Sequence, residues 1–200
     1  MAAEVIYRPA RKEDCPRLGE LIGVAGRGML EYLLDGLVPG RSAADIAAHD
    51  LAENQRHHSF CNATVAEAGG AVMGMALSFE SRFHGITDDM RRFIPAERLT
   101  PLESFYSTRI QESLYLDTLA VDSALRGRGV GTVLLQMTKQ KALALGCKSV
   151  SLIVLANNLN ARRLYERQGF VDVKKVPMKG VSFLPADSAA LLMEYKLAQC

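Results

Sequence analysis

Two arginines and three glycines fall within six residues at Arg126-Gly127-Arg128-Gly129-Val130-Gly131. Glycine lets a backbone adopt conformations closed to other residues and approach a ligand closely. The strand-like run Leu114 to Val121 precedes this turn, and the helix-like run Val130 to Leu145, stopped by Gly146, follows it. Amides at a helix start point outward at the positive end of the dipole, a setting that favours phosphate. A plain strand-to-helix turn could use the same glycines, but the placement and the two arginines together point to an anion. The wider charge pattern agrees. Between Ser123 and Tyr165 stand seven Lys and Arg residues and no Asp or Glu, in a chain whose net charge is only +2. A positive segment inside an otherwise slightly negative protein fits an anionic ligand.

Two common phosphate-binding patterns are excluded. A P-loop requires Gly-Lys-Ser/Thr, whereas Gly131 is followed by Thr132 and Val133. A dinucleotide fingerprint counted from Gly127 would need its third glycine at Thr132, and the next apolar run, Val150 to Leu155, has no acid for a ribose.

Asp117 is the only charge in Leu114 to Val121. A lone carboxylate in such a strand is costly unless it faces a polar cleft. Glu112 stands just before the strand, and Glu80 ends an earlier apolar run. The histidines, at 49, 57, 58 and 84, all lie outside the glycine-rich region, and His57-His58 reads as solvated surface at the end of a polar helix. Cysteines at 15, 61, 147 and 200 form no paired motif, so neither a metal site nor a disulfide framework is expected. That cysteine usage, with early acids and no apolar leader, fits a reducing cytoplasm. No apolar run is long enough for a membrane span. Nucleic acid is not expected, because the net charge is mild and no aromatics interleave the basic segment.

The elements that must position these groups read as a mixed α/β order in one domain, a comfortable size for a single core at 200 residues. Val5 to Arg8 is a short strand ended by Pro9, and Glu13 to Val24 is a helix with Leu18, Leu21 and Ile22 on one face. Residues 26–41 read as helix or loop. Ser42 caps a helix running to about His58. Phe60 to Glu67 and Ala71 to Glu80 form a hairpin around Gly69-Gly70. Residues 81–113 form a partly helical insertion. Strands are expected at Val150 to Leu155, Phe170 to Val176 and Leu191 to Leu197, with a helix from Asn158 to Gln168.

Leu119-Ala120-Val121-Asp122 followed by Arg126 to Gly131 resembles the core motif of the GNAT superfamily of acyl-CoA-dependent N-acetyltransferases. The pattern Arg/Gln-x-x-Gly-x-Gly/Ala is met by Arg126, Gly129 and Gly131. A second family signature is met, in order and at family spacing, by Asn158, Ala161, Leu164-Tyr165 and Gly169-Phe170. Ile6 to Ala10 also resembles the family's first strand, and the clear match covers residues 114–173. The resemblance implies an α+β fold: a single mixed, mostly antiparallel β-sheet flanked by helices. It implies acetyl-CoA as co-substrate, with its diphosphate on Arg126, Gly127, Arg128, Gly129, Val130, Gly131 and Thr132. The pantetheine would run along Leu119, Ala120 and Val121, and the acetyl thioester would enter a gap between that strand and the next.

The resemblance further implies roles for individual side chains. Asn158 matches a cofactor-contact position and equally reads as a helix cap. Tyr165 matches the tyrosine that protonates the departing thiolate, its alternative being a core position. A protonated amine cannot attack a thioester, so a base or water chain must take its proton. Asp117, the lone charge in its strand, is the first candidate, Glu112 just before the strand the second and Glu80 the third. Some family members carry catalytic histidines at the positions of Tyr115 and Asp117, which supports the location but not the identity, since neither is His here. The expected activity is acetyl transfer to a small-molecule or peptide amine. The alternative is a CoA-binding sensor of the same fold without turnover. Exposed strand edges leave a homodimer open.

Overall fold

Gly69 and Gly70 carry φ of +59° and +79°. A two-residue hairpin turn with both central residues left-handed matches the twist of its flanking strands, and glycine enters it with the least strain. The hairpin is therefore written locally, and the computed structural model, which describes residues 4–53 and 56–198, builds outward from it.

In chain order the elements are β1 (Val5–Pro9), α1 (Cys15–Gly26), α2 (Met29–Leu34), α3 (Ala43–Leu51), β2 (Ala63–Ala68) and β3 (Ala71–Glu80). Then come α4 (Asp88–Phe93), α5 (Ala96–Leu99), α6 (Glu103–Ser107), β4 (Ser113–Val121), α7 (Val130–Ala144), β5 (Ser149–Leu155), α8 (Leu159–Arg167), β6 (Val171–Pro177) and β7 (Ala189–Lys196). Seven strands form one mixed sheet in the order β1-β2-β3-β4-β5-β7-β6. β4 runs parallel to β5, while β1–β2, β2–β3, β5–β7 and β6–β7 are antiparallel. The expected mixed, mostly antiparallel sheet with helices is observed.

The chain divides into two compact units, Met1–Phe79 with Leu116–Thr138, and Glu80–Tyr115 with Lys139–Cys200. In the first, α1 lays Leu18 and Leu21 against Leu51 of α3, Val65 of β2 and Met75 and Leu77 of β3, all at most 1% exposed. Burying each such side chain is worth about 1.5–3 kcal/mol. Gly19 lets α1 approach α3 closely: a Cβ there would lie 2.3 Å from the Ala44 carbonyl oxygen. Arg8 ties the start of the chain to β2, with its Nη atoms 2.7 and 3.0 Å from the two carboxylate oxygens of Asp14 and its Nε 2.7 Å from Glu67.

In the second unit, β5 pairs with β7 along its whole length. The ladder between β4 and β5 includes Ser113–Ser149, Leu114–Val150 and Tyr115–Ser151. His84, only 3% exposed, donates from Nε2 to the Phe105 carbonyl at 3.3 Å and packs its ring 4.1 Å from that of Tyr115.

One expected element is shortened. Ser42 does cap α3, accepting from the Asp45 amide at 3.1 Å while Asp45 returns a bond to Ser42 N. The helix ends at Leu51, however, and does not continue to His58; residues 54–55 of that expectation lie outside the described residues. The Ser59 hydroxyl donates to the Leu51 carbonyl at 3.4 Å, so the chain has turned back onto the helix end within eight residues. The hairpin's first strand begins at Ala63 rather than Phe60, because residues 60–62 form a 3-10 turn capped by Ser59.

Candidate active site

The glycine-rich turn closes the first unit's β4-to-α7 connection. Asp122 caps a 3-10 turn through the Ala124 amide, and Arg126 donates from Nε to the Val121 carbonyl at 3.0 Å. Gly127 and Gly129 are left-handed at φ +75° and +81°. Beyond each glycine and its chain neighbours, no heavy atom lies within 4 Å of where a Cβ would stand on either. Residues 126–129 are exposed, and the first helix bond of α7 runs from Val133 N to Gly129 O at 3.1 Å. The amides of Val130, Gly131 and Thr132 therefore precede the helical ladder and have no acceptor within it. Open space over two left-handed glycines, a helix start and the exposed Arg126 and Arg128 fit the diphosphate of a coenzyme A thioester.

Strand β4 alternates. Leu116, Thr118 and Ala120 are buried, while Asp117, Leu119 and Val121 are partly exposed on the opposite face. A strand can present one face to the core and the other to a cleft in this way. The Ala120 carbonyl sits 3.0 Å from the Cβ position of Gly74, a close approach that requires glycine on β3. Asp117 accepts from the Thr118 hydroxyl at 2.9 Å.

His58 stands beside Asp117. Its Nε2 is 3.7 Å from Asp117 Oδ2, and its Nδ1 is 3.2 Å from Asp50 Oδ2 on α3. Asp50 also receives Arg56 at 2.8 Å. Burial alone would lower the His58 pKa, but the two carboxylates reverse this and push it up to about 10. Burial lowers the pKa of its neighbour His57, whose ring packs edge-on against Phe79 at 5.2 Å. The reading of His57-His58 as solvated surface is thus corrected: the pair turns inward after α3, and both side chains are partly buried. The spacing of the residues held no signal for it, since the meeting of α3, the following loop and β4 is a tertiary event.

The remaining candidates lie in the second unit. Asn158 caps α8, its Oδ1 accepting from Ala161 N at 3.4 Å. A cavity of about 270 Å³, lined by Leu155, Ala156, Asn157, Lys175 and Asp187 among others, opens at the end of β5 just before that cap. Tyr165 of α8 is 7% exposed, with its ring 5.8 Å from that of Phe170. Burial pushes its phenol well above the ordinary tyrosine value, so it keeps its proton across the neutral range. Glu112 sits on the turn before β4 with φ +56°, its side chain exposed and paired with Lys148. Glu80 ends β3 and pairs with Arg82 at 2.9 Å. Among the described residues no group of three His, Cys, Asp or Glu could hold a metal ion, and no helix is long and apolar enough to cross a membrane.

Comparison with known proteins gives the chain a family context. The pig thialysine N-epsilon-acetyltransferase is 26% identical over 173 residues, covering 86% of each chain. The chain spans only 34%, 37% and 43% of three further curated relatives from Bacillus subtilis and Dictyostelium discoideum. A crystal structure of an acetyltransferase superposes with a TM-score of 0.67 at 25% identity, covering 96% of this chain and 100% of the other. A Salmonella typhimurium structure solved with its cofactor acetyl-CoA superposes with a TM-score of 0.65 at 20% identity, covering 98% of this chain and 95% of the other. The family model for GNAT acetyltransferases matches residues 29–170, from the start of α2 to the end of the second signature, and the chain belongs to that family.

Proposed function

We propose that this protein transfers the acetyl group of acetyl-CoA to a primary amine by direct attack within a ternary complex. One observation carries the reading: two left-handed glycines with open space above them, at a helix start flanked by Arg126 and Arg128. Acetyl-CoA supplies an acetyl thioester and a diphosphate handle. The α7-start amides and the two arginines hold the diphosphate, and the backbone of Leu119 to Val121 lies along the pantetheine. Asn158 contributes its side chain to the co-substrate in addition to capping α8.

Asp117 is the base. Its carboxylate takes one proton from the acceptor's ammonium group, and the freed nitrogen lone pair forms the C–N bond. As the C–S bond breaks, a second N–H proton passes from that nitrogen to the sulfur, leaving amide, thiol and protonated Asp117. Tyr165 donates to the departing sulfur. A free thiol ionises near pH 8.5, below even an unperturbed phenol near 10, so complete transfer from Tyr165 is uphill. The raised Tyr165 favours a strong hydrogen bond to the thiolate over outright protonation. Glu112, exposed and paired with Lys148, is the second candidate for the role of base. The acceptor class is an amine of a small molecule or peptide, in keeping with the name of the pig relative.

The test is a screen of primary amines with acetyl-CoA and detection of released thiol, alongside calorimetry of acetyl-CoA binding. Binding with amine-dependent thiol release is the expected result. Binding without release from any amine would leave a CoA-binding module, and no binding would remove the reading.

A further inference from the structure

We propose that His58 is a positioning residue: bridging Asp50 and Asp117, it holds the Asp117 carboxylate in place and keeps it ionised. This rests on the assignment of Asp117 as the base, and adds a residue from outside both family signatures.

The geometry is a three-element bridge. Asp50 comes from α3, His58 from the loop after it and Asp117 from β4. The ring spans the two carboxylates through opposite nitrogens, at 3.2 Å to Asp50 and 3.7 Å to Asp117. The Nδ1 contact to Asp50 is a hydrogen bond and the Nε2 separation from Asp117 is an ion-pair distance. An imidazolium protonated on both nitrogens suits both, because a carboxylate oxygen only accepts. Asp50 from α3 and Asp117 from β4 are the carboxylates that act on the ring; from its own loop His57 adjoins it and Arg56 is paired with Asp50. Asp50 is shared with Arg56, so the far end of the bridge is itself anchored. The Thr118 hydroxyl donates to the same Asp117 oxygen that faces His58, which fixes that carboxylate from two directions.

Two consequences follow. An imidazolium protonated on both nitrogens has no lone pair in the ring plane, so His58 cannot itself take the amine's proton at neutral pH. Its effect on Asp117 is electrostatic: an opposite charge within about 4–6 Å lowers a carboxyl pKa by about 1–3 units. The same attraction that favours the Asp117 anion weakens it as a proton acceptor, so what His58 contributes to the proposed base is its placement.

The experiment reads the two groups directly by NMR, on protein without substrate. Histidine ring 15N shifts, with the His58 signals assigned by their loss in His58→Gln, are followed from pH 5 to 11. The Asp117 13C carboxyl shift, assigned with Asp117→Asn, is followed from pH 2 to 8. Both His58 nitrogens are expected to be protonated at pH 8. Asp50→Asn and Asp117→Asn are each expected to lower the His58 midpoint, and His58→Gln to raise the Asp117 midpoint by about one unit or more. If His58→Gln does not fold, Asp50→Asn retains the ring and must still lower its midpoint. A His58 midpoint near 6.5, or an Asp117 midpoint unmoved by His58→Gln, would overturn the proposal. Neither readout needs turnover, so failure of the bridge and failure of acetyl transfer are separately visible.

Discussion

Arg126 reaches back from the glycine turn to the end of the strand it has just left, its Nε donating to the Val121 carbonyl at 3.0 Å. The guanidinium therefore has a structural hold on β4 as well as a place in the cationic rim. Arg126→Ala is expected to weaken acetyl-CoA binding about tenfold, the scale of one charge-assisted hydrogen bond, with little change in melting temperature. Arg126→Lys recovers only part of the loss, because one ammonium cannot reproduce a fork held at one nitrogen. Calorimetry on the three proteins checks this.

Gly129 sits at φ +81° in open space over the turn. Gly129→Glu adds backbone strain and an anion where the diphosphate is proposed to bind. The expected outcome is loss of measurable acetyl-CoA binding, while circular dichroism shows the fold retained. Unchanged affinity would remove the phosphate assignment of the turn.

Tyr165→Phe removes only the hydroxyl from a side chain that is 7% exposed. If that hydroxyl stabilises the departing thiolate, kcat falls on the order of 10–100-fold and KM stays nearly constant. Steady-state kinetics with any accepted amine decides it, and an unchanged kcat would return Tyr165 to a packing role.

Gly19 meets the Ala44 carbonyl so closely that a Cβ would lie 2.3 Å from its oxygen and 3.1 Å from Ala48 N. Both contacts are backbone and cannot swing aside. Gly19→Ala gains helix propensity, worth about 1 kcal/mol, but must push α1 off α3. The net expectation is destabilisation of about 1–3 kcal/mol, lowering the melting temperature by about 2–4 °C per kcal/mol. Thermal unfolding measures it.

The hydrogen bond from Arg8 holds the Asp14 carboxyl below the usual carboxylate range; burial opposes it, and the Arg11 amide adds to it. Asp14 thus contributes stability that is fully present above about pH 4, its unfolded value, and is lost as pH falls through the lower folded value. Asp14→Asn is expected to cost about 3 kcal/mol at pH 7 by leaving Arg8 partly unpaired, and to flatten the acid side of the stability profile. Urea unfolding between pH 2 and pH 7 compares the two proteins.

What could be read from the chain alone was whatever local conformation demands. The Gly69-Gly70 hairpin, the Gly127 and Gly129 turn, the Ser42 and Asn158 caps and the end of α7 before Gly146 each depend on a few consecutive residues. Backbone sterics and capping bonds act over that range, so residue type and spacing were enough. Asp117 was legible for a related reason, as one charge in a strand that otherwise reads as core.

The partners of the charged residues were settled only by folding. Glu112, the second candidate for the base, stands beside Lys148, which lies beyond α7. His57-His58 looked like the solvated end of a long helix, but α3 stops at Leu51 and the chain doubles back, setting His58 between Asp50 and Asp117. Charge pairs depend on distances between segments far apart in the chain, and no periodicity encodes those distances. The sequence could single out Asp117 as a lone charge in an apolar strand; the packing of α3 and its loop against β4 decided which charges stand beside it.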